Sequence, residues 1–221
     1  MTSTAFVPMR LGSKGIPKKN IKLIAGRPLY HWTLSALIEA QVFNQIIVST
    51  ESSEIARAVE KDFGTAVKIH PRSEELALDT TSTEAVLLDK SLNLQSDWLG
   101  LFQVTSPFIT KEHIQEAAAL FQNSNYDSLL SVCEFKRFLW SHEGVALNYE
   151  PLNRPRRQDF KGCYIENGAF YFMHVSGLKA HGCRLFGTIG TFVLPEEFTH
   201  EIDSPQDFVL AESLLKQRIS P

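Results

Sequence analysis

AFVPMRLGSKGIPKKN, Ala5 to Asn20, begins with an apolar run and passes without a break into a loop holding two glycines and the cations Arg10, Lys14, Lys18 and Lys19. The apolar part, Ala5 to Met9, reads as a short buried strand. A basic, glycine-bearing loop directly after the first strand of an α/β sheet lies where such sheets bind nucleotides. Gly12 and Gly15, on either side of Ser13, can take positive φ, so that successive backbone N–H groups turn onto an anion. Fixed cations then neutralise a polyphosphate and the charge that builds up in phosphoryl transfer. The loop is neither GxxxxGK[ST] nor GxGxxG. For GSKG alone, a solvated basic turn is the competing reading.

Outward from this loop the apolar period switches repeatedly between two residues and three or four, as alternating strands and helices require. Pro28 opens a helix with Leu29, Trp32, Ala36, Leu37 and Ala40 on one face, and QIIVST to Thr50 follows as a strand. Further expectations are a helix over 53–63, a strand near 66–69, a helix after Thr80, a strand over 98–104, a helix over 111–121 and a strand over 127–133. Short connections make this an α/β pattern with a parallel sheet covered on both faces. From about 134 to 165 the rhythm breaks into an irregular arm with Pro151, Pro155, Arg154, Arg156 and Arg157. Such an insertion in a regular fold is usually functional. Strands over 168–173 and 187–194 restore the rhythm. A last helix is capped by Ser204, with Pro205 at its first position and Asp207 in the capping-box position. One domain over 1–221, with no further domain after that helix, is the expectation.

Composition bounds the function. The 221 residues are 43% apolar and 21% charged, with 22 basic and 25 acidic side chains. A net charge of -3 excludes wholesale wrapping of nucleic acid or an anionic membrane, while leaving room for a local basic pocket. Cys133, Cys163 and Cys183 are odd in number, widely spaced and form no CxxC, which argues against a disulfide framework or a zinc site. No run approaches the roughly 18 apolar residues of a bilayer span. A cytoplasmic protein with no membrane partner is expected; RPRR would permit nuclear import in an animal cell. The histidines show no HExxH or triad context, and Cys163 has no neighbouring base.

Five stretches, in order, resemble one family. RLGSKGIPKKNIKLIAGRPL is similar to the R-x-x-S-K-x-x-x-x-K-N signature of the cytidylyltransferases that activate sialic acids, the CMP-sialic acid synthetases. HPRSEELALDTTST (His70 to Thr83), LFQVTSPFIT (Leu101 to Thr110), RPRRQDFKGCYIENGAFYF (Arg154 to Phe172) and HEIDSPQDF (His200 to Phe208) resemble its later motifs. The likeness covers nearly the whole chain. It implies a Rossmann-like nucleotidyltransferase fold, a mainly parallel sheet flanked by helices with an inserted dimerisation arm. It also implies the reaction of CTP with an N-acylneuraminate or related nonulosonic acid to give the CMP-sugar and diphosphate, with magnesium.

By that resemblance Arg10 and Lys19 contact the triphosphate, joined in the loop by Gly12, Ser13 and Lys14, while Asn20 reads the nucleotide. Arg72 reaches the cytosine with Thr81 and Thr83; a strand-end surface arginine and two helix-capping hydroxyls are the competing readings. Gln103 is delivered to the C-terminal edge of the sheet and contacts the sugar acid or orients its hydroxyl, with Thr105 and Ser106 beside it. Arg157 and Gln158 reach a partner's site in a homodimer that exchanges arms, and Asn167 matches the family's active-site N-G, a strand-initiating turn being the alternative. Glu201 and Asp203 match a D-x-D metal site. Two carboxylates one residue apart on an extended chain face one side and suit a hard, oxygen-ligated cation. Acids before a helix N-terminus also favour its dipole, which is the competing reading. Arg10, Lys19, Gln103 and Asp203 are the candidate catalytic residues.

Three departures bear on these roles. Val104 replaces a proline, Ile109 stands where arginine is usual, and Glu201 for aspartate shifts the carboxylate by roughly 1.5 Å, one bond length. The rival readings are CTP-dependent activation of another keto-deoxy acid (Kdn, legionaminic, pseudaminic or Kdo type), and a catalytically silent nucleotide-binding relative.

Overall fold

The computed structural model describes residues 1–219, so the last two positions of the expected 1–221 domain lie outside it. The first strand, β1 (Ser3–Pro8), is buried over Ser3–Val7, as a strand covered on both faces must be. After the basic loop and a 3-10 turn at Lys19–Ile21, the two-residue strands β2 (Leu23–Ile24) and β3 (Arg27–Pro28) pair as a small hairpin that the periodicity does not announce. Pro28 then caps α1 (Leu29–Ala40) from the position before its first residue.

The alternation continues with β4 (Gln45–Thr50) and α2 (Ser53–Phe63), whose Ser52 cap accepts from the amides of Glu54 and Ile55. A cap of this kind is worth about 1 kcal/mol. β5 (Lys68–Pro71) begins two residues later than expected, because Gly64–Ala66 is spent on a 3-10 turn. α3 (Thr83–Leu87) is a helix of five residues, and β6 (Trp98–Phe102) stops just before Gln103. α4 (Lys111–Asn123) starts with a capping box between Thr110 and His113. β7 (Ser128–Phe135), β8 (Cys163–His174), α5 (Val175–His181), β9 (Ile189–Leu194) and α6 (Pro205–Ile219) complete the chain.

Seven strands form one sheet in the order β5-β4-β1-β6-β8-β7-β9. All run parallel except β8, which is antiparallel to both β6 and β7 and separates them. The mostly parallel, doubly covered sheet read from the sequence is therefore present. Helices α1, α2, α4 and α6 bury one face and α3 and α5 the other. The irregular arm is narrower than 134–165, since β7 continues to Phe135 and β8 begins at Cys163. Inside it the Phe138 ring packs at a tilt against both Tyr149 and Phe160, and the Arg154 guanidinium lies 4.4 Å from the Phe138 ring centre. One of the arm's three arginines is thus held by its own aromatic cluster, and Arg156 pairs with Asp159 at 2.7 Å.

Candidate active site

The basic loop leaves β1 at Arg10. Its turn is not made as expected. Neither Gly12 nor Gly15 has positive φ; the left-handed residue is Lys18, at φ 53°, which starts the 3-10 turn carrying Lys19 and Asn20. Asn20, almost buried, donates its amide to the Arg10 carbonyl at 2.8 Å and so ties the two ends of the loop together. Gly15 is needed for another reason: a Cβ there would stand 2.1 Å from the Asp203 carbonyl oxygen. Any side chain would push apart the first and last motifs.

Those motifs meet through Lys19. Its ammonium donates to the Ile202 carbonyl at 2.5 Å and to the Asp203 carboxylate at 3.0 Å. Ile202 is fully buried and its amide donates to the Thr105 carbonyl, so Glu201 and Asp203 are presented to the opposite side of an extended segment. The Glu201 carboxylate lies so close over Gly168 that a Cβ would overlap it, and Gly168 is left-handed at φ +66°. Burial, reinforced by the neighbouring Asp203 charge, raises the Glu201 pKa above its ordinary value, with Lys19 opposing. The capping box read at α6 is present, with Ser204 and Asp207 bonding reciprocally at 2.7 and 3.3 Å.

Arg72 is buried, contrary to the surface reading. One guanidinium nitrogen donates at 3.2 Å to both the Met9 carbonyl and the Glu51 carboxylate, while Nε has no partner among the described residues. An orphan buried donor costs about 1–3 kcal/mol, and another part of the Arg72 side chain lines the cleft. Thr81 and Thr83 are not the caps of α3. Ser82 performs that role by accepting from the Ala85 amide, Thr81 donates to the Glu75 carbonyl, and Thr83 is the first helical residue.

Asp79, in the same turn, pairs with Arg10 at 2.5 Å and Lys14 at 3.1 Å. These hydrogen bonds, from Arg10 first, hold its carboxyl below the ordinary aspartate range. The pairs are solvent-exposed and hence weak, so a polyphosphate with more charge can displace the carboxylate.

Gln103 follows β6 and faces the cleft, its amide group without a side-chain partner among the described residues, beside Thr105 and Val104. Ser106 is buried and donates to the Asn167 carbonyl at 3.4 Å. Asn167 itself does not line the cleft. Its side chain accepts from Ser131 at 2.6 Å and donates to the Phe198 carbonyl at 3.2 Å, which holds the register shift between β7 and β8. Ile109, in place of the usual arginine, is packed into the core. Arg157 and Gln158 are exposed on the arm and line no part of this chain's cleft.

The result is one cleft of about 370 Å³ at the C-terminal edge of the parallel strands. It gathers Arg10, Gly12, Ser13, Lys19, Asn20, Arg72, Thr81, Thr83, Gln103, Thr105, Glu201 and Asp203. Leu76, Leu78, Asp79, Ser82 and Val86 line it as well, none of them given a role by the sequence motifs, although all but Val86 lie inside the His70–Thr83 stretch.

A cytidylyltransferase family model matches residues 4–192. The chain belongs to the cytidylyltransferase family. N-acylneuraminate cytidylyltransferase A of Danio rerio is 36% identical over 217 residues, 95% of this chain and 50% of that protein. The N-acylneuraminate cytidylyltransferase of Streptococcus agalactiae serotype V is 28% identical over 218 residues, covering 95% of this chain and 52% of that protein. The chain spans about half the length of these curated relatives. Among solved structures, a CMP:2-keto-3-deoxy-manno-octonic acid synthetase complexed with CTP superposes with a TM-score of 0.72 at 16% identity, covering 99% of this chain and 100% of that one. A 4-diphosphocytidyl-2C-methyl-D-erythritol synthase from Anaerococcus prevotii gives 0.69 at 12% identity, covering 97% and 98%. At such identities the likeness shows the fold of this family member.

Proposed function

We propose that this chain transfers a cytidylyl group from CTP to an N-acylneuraminate or a closely related nonulosonic acid, releasing diphosphate. The observation that carries the reading is the junction of the two outermost motifs, with Lys19 seated on the Ile202–Asp203 segment inside the cleft that also holds Arg10, Arg72 and Gln103. The relatives' activity favours a sialic acid over other keto-deoxy acids.

In the proposed reaction the sugar's anomeric hydroxyl oxygen attacks the α-phosphorus and loses its proton to water, the α–β anhydride bond breaks, and diphosphate carries away the electron pair. Arg10, Lys14 and Lys19, with the Gly12–Ser13 backbone, hold the triphosphate and offset charge on the leaving group. Asn20 bonds the nucleoside, Arg72 donates to the cytosine with Thr81 and Thr83 beside it, and Gln103 with Thr105 orients the sugar acid. Ser106 and Asn167 act indirectly, by fixing the loop after β6 against β8.

Magnesium suits the donor set. Glu201 and Asp203 offer carboxylate oxygens on one side of the chain, and a divalent cation offsets both the burial that chiefly raises the Glu201 pKa and the Asp203 charge that adds to it. When bound, the metal offsets phosphate charge at the reacting centre. We assign Asp203 as principal ligand and Glu201 as a direct or water-mediated one.

The proposed enzyme is a homodimer in which Arg157 and Gln158 of each arm serve the partner's sugar site. Exposed Trp140, Leu147, Leu152 and Tyr164 on and beside the arm support an interface there. The free cysteines fit a reducing, cytoplasmic setting, and no helix among the described residues is long and apolar enough to cross a membrane. The test is diphosphate release from CTP over a panel of keto-deoxy acids. N-acetylneuraminate should give the highest kcat/KM; a higher value for Kdo would favour the rival acid, and no release with any acid the silent relative.

A further inference from the structure

Glu51 belongs to none of the five motifs, yet one of its carboxylate oxygens serves each half of the proposed nucleotide site. Oε1 accepts the Leu11 amide at 2.7 Å, at the start of the basic loop, and Oε2 accepts from Arg72 at 3.2 Å. The pair is largely shielded, with the Arg72 side chain 4% and the Glu51 side chain 14% exposed. Glu51 sits immediately after β4, whose neighbour β1 ends at Arg10's loop and whose other neighbour β5 ends at Arg72's turn. It is therefore the carboxylate placed between the phosphate loop and the base-reading arginine.

The chemistry of this placement is specific. An uncompensated buried guanidinium near Arg10 would be drawn to the nearest phosphate, since a fully charged acceptor outcompetes a neutral one. Paired with Glu51 and fixed by the Met9 carbonyl, the Arg72 guanidinium belongs to a pair with no net charge, which attracts a phosphate less and leaves Arg72 as a hydrogen-bond donor to uncharged acceptors. A pyrimidine's carbonyl and ring nitrogen are such acceptors: cytosine presents both, whereas the corresponding ring nitrogen of uracil carries a proton. We propose that Glu51 is a positioning residue that sets the cytosine-over-uracil preference of the site by neutralising and orienting Arg72. The proposal rests on the reading of Arg72 as the base contact.

The test is equilibrium binding of CMP, UMP and inorganic diphosphate to the full chain, with wild type, Glu51→Gln, Glu51→Asp and Arg72→Gln compared and folding checked by circular dichroism. Glu51→Gln keeps an acceptor for the Leu11 amide but removes the charge facing Arg72. It is expected to lower the CMP-over-UMP affinity ratio by about tenfold, one well-placed donor pair, while diphosphate affinity stays equal or increases. Glu51→Asp, which keeps the charge but shortens the reach, should lose part of the ratio. A wild-type ratio in a folded Glu51→Gln or Glu51→Asp protein overturns the proposal, as does an equal fall in affinity for all three ligands, which would mark a merely structural residue. If Arg72→Gln keeps the preference, the reading of Arg72 itself fails. If Arg72→Gln loses it and the Glu51 variants do not, only the role of Glu51 fails.

Discussion

The Lys19 ammonium lies 3.0 Å from the Asp203 carboxylate, although 184 residues separate them in the chain. This contact joins the cation proposed for the triphosphate to the carboxylate proposed for the metal. Each group therefore restrains the position of the other before any ligand arrives.

Asp203→Asn is expected to reduce turnover by about a hundredfold or more, because a neutral amide is a poor ligand for a hard cation and a poor partner for Lys19. Glu201→Gln should be milder. Steady-state kinetics across a magnesium titration check this. Equal, mild and magnesium-independent losses in both variants would contradict the assignment.

Lys19→Ala and Arg10→Ala should lower kcat as well as weaken CTP binding, since charge neutralised during displacement matters more in the transition state than in the ground state. CMP, lacking the outer phosphates, should bind both variants nearly as it binds wild type. A raised KM for CTP with unchanged kcat would make the two cations uniform binding contacts.

Gly15→Ala places a methyl group against the Asp203 carbonyl and should separate the two motifs. Expected is a large loss of kcat with only a small change in Tm, because the clash lies at the cleft and not in the core. Wild-type kinetics for Gly15→Ala would show that the close approach has no bearing on function.

Asp79 pairs with two of the cations proposed for the triphosphate, Arg10 and Lys14. Asp79→Asn should tighten inorganic diphosphate several-fold, with a steeper salt dependence, because the internal competitor is removed. Weaker diphosphate binding in the variant would instead make Asp79 an organiser of Arg10 and Lys14.

Glu84 and Arg184 form a two-pronged pair at 2.6 and 3.1 Å that anchors α3 beneath the cleft. The Arg184 hydrogen bonds hold the Glu84 carboxyl below its ordinary range. A depressed folded-state pKa stabilises the fold above the unfolded value, and this stability is lost as pH falls through the folded one. The Tm advantage of wild type over Glu84→Gln should therefore be full at neutral pH and shrink below the ordinary glutamate range; an advantage that grows on acidification contradicts the pairing.

Arm exchange can be tested by subunit mixing. Arg157→Ala and Asp203→Asn homodimers should each be nearly inactive, whereas heterodimers place both lesions in one site and leave the other intact. Recovery of activity in confirmed heterodimers is expected; its absence in folded heterodimers rejects action in trans.

The alternation of strands and helices was legible because each element carries its own period, and α2 occupies the residues its spacing indicates. Neighbour relations were not. Nothing in GAFYFM says that β8 runs antiparallel between β6 and β7. Most residues of the cleft were legible through motifs, but the local roles of other motif residues were not: Gly15 serves close approach to Asp203 instead of a left-handed turn, and Asn167 lies outside the cleft and holds a register shift. Glu51 and Asp79 went unread because a single acid at a strand end or in a turn has no periodicity. Their significance comes from the cations that the fold brings to them.

The most direct measurement follows the products by phosphorus NMR when the purified chain is given CTP, magnesium and N-acetylneuraminate. Expected is a CMP-sugar ester and diphosphate in equal amounts, with neither formed when the sugar acid is left out. Diphosphate without the ester, or no consumption of CTP by a folded chain, would contradict the proposed cytidylyl transfer.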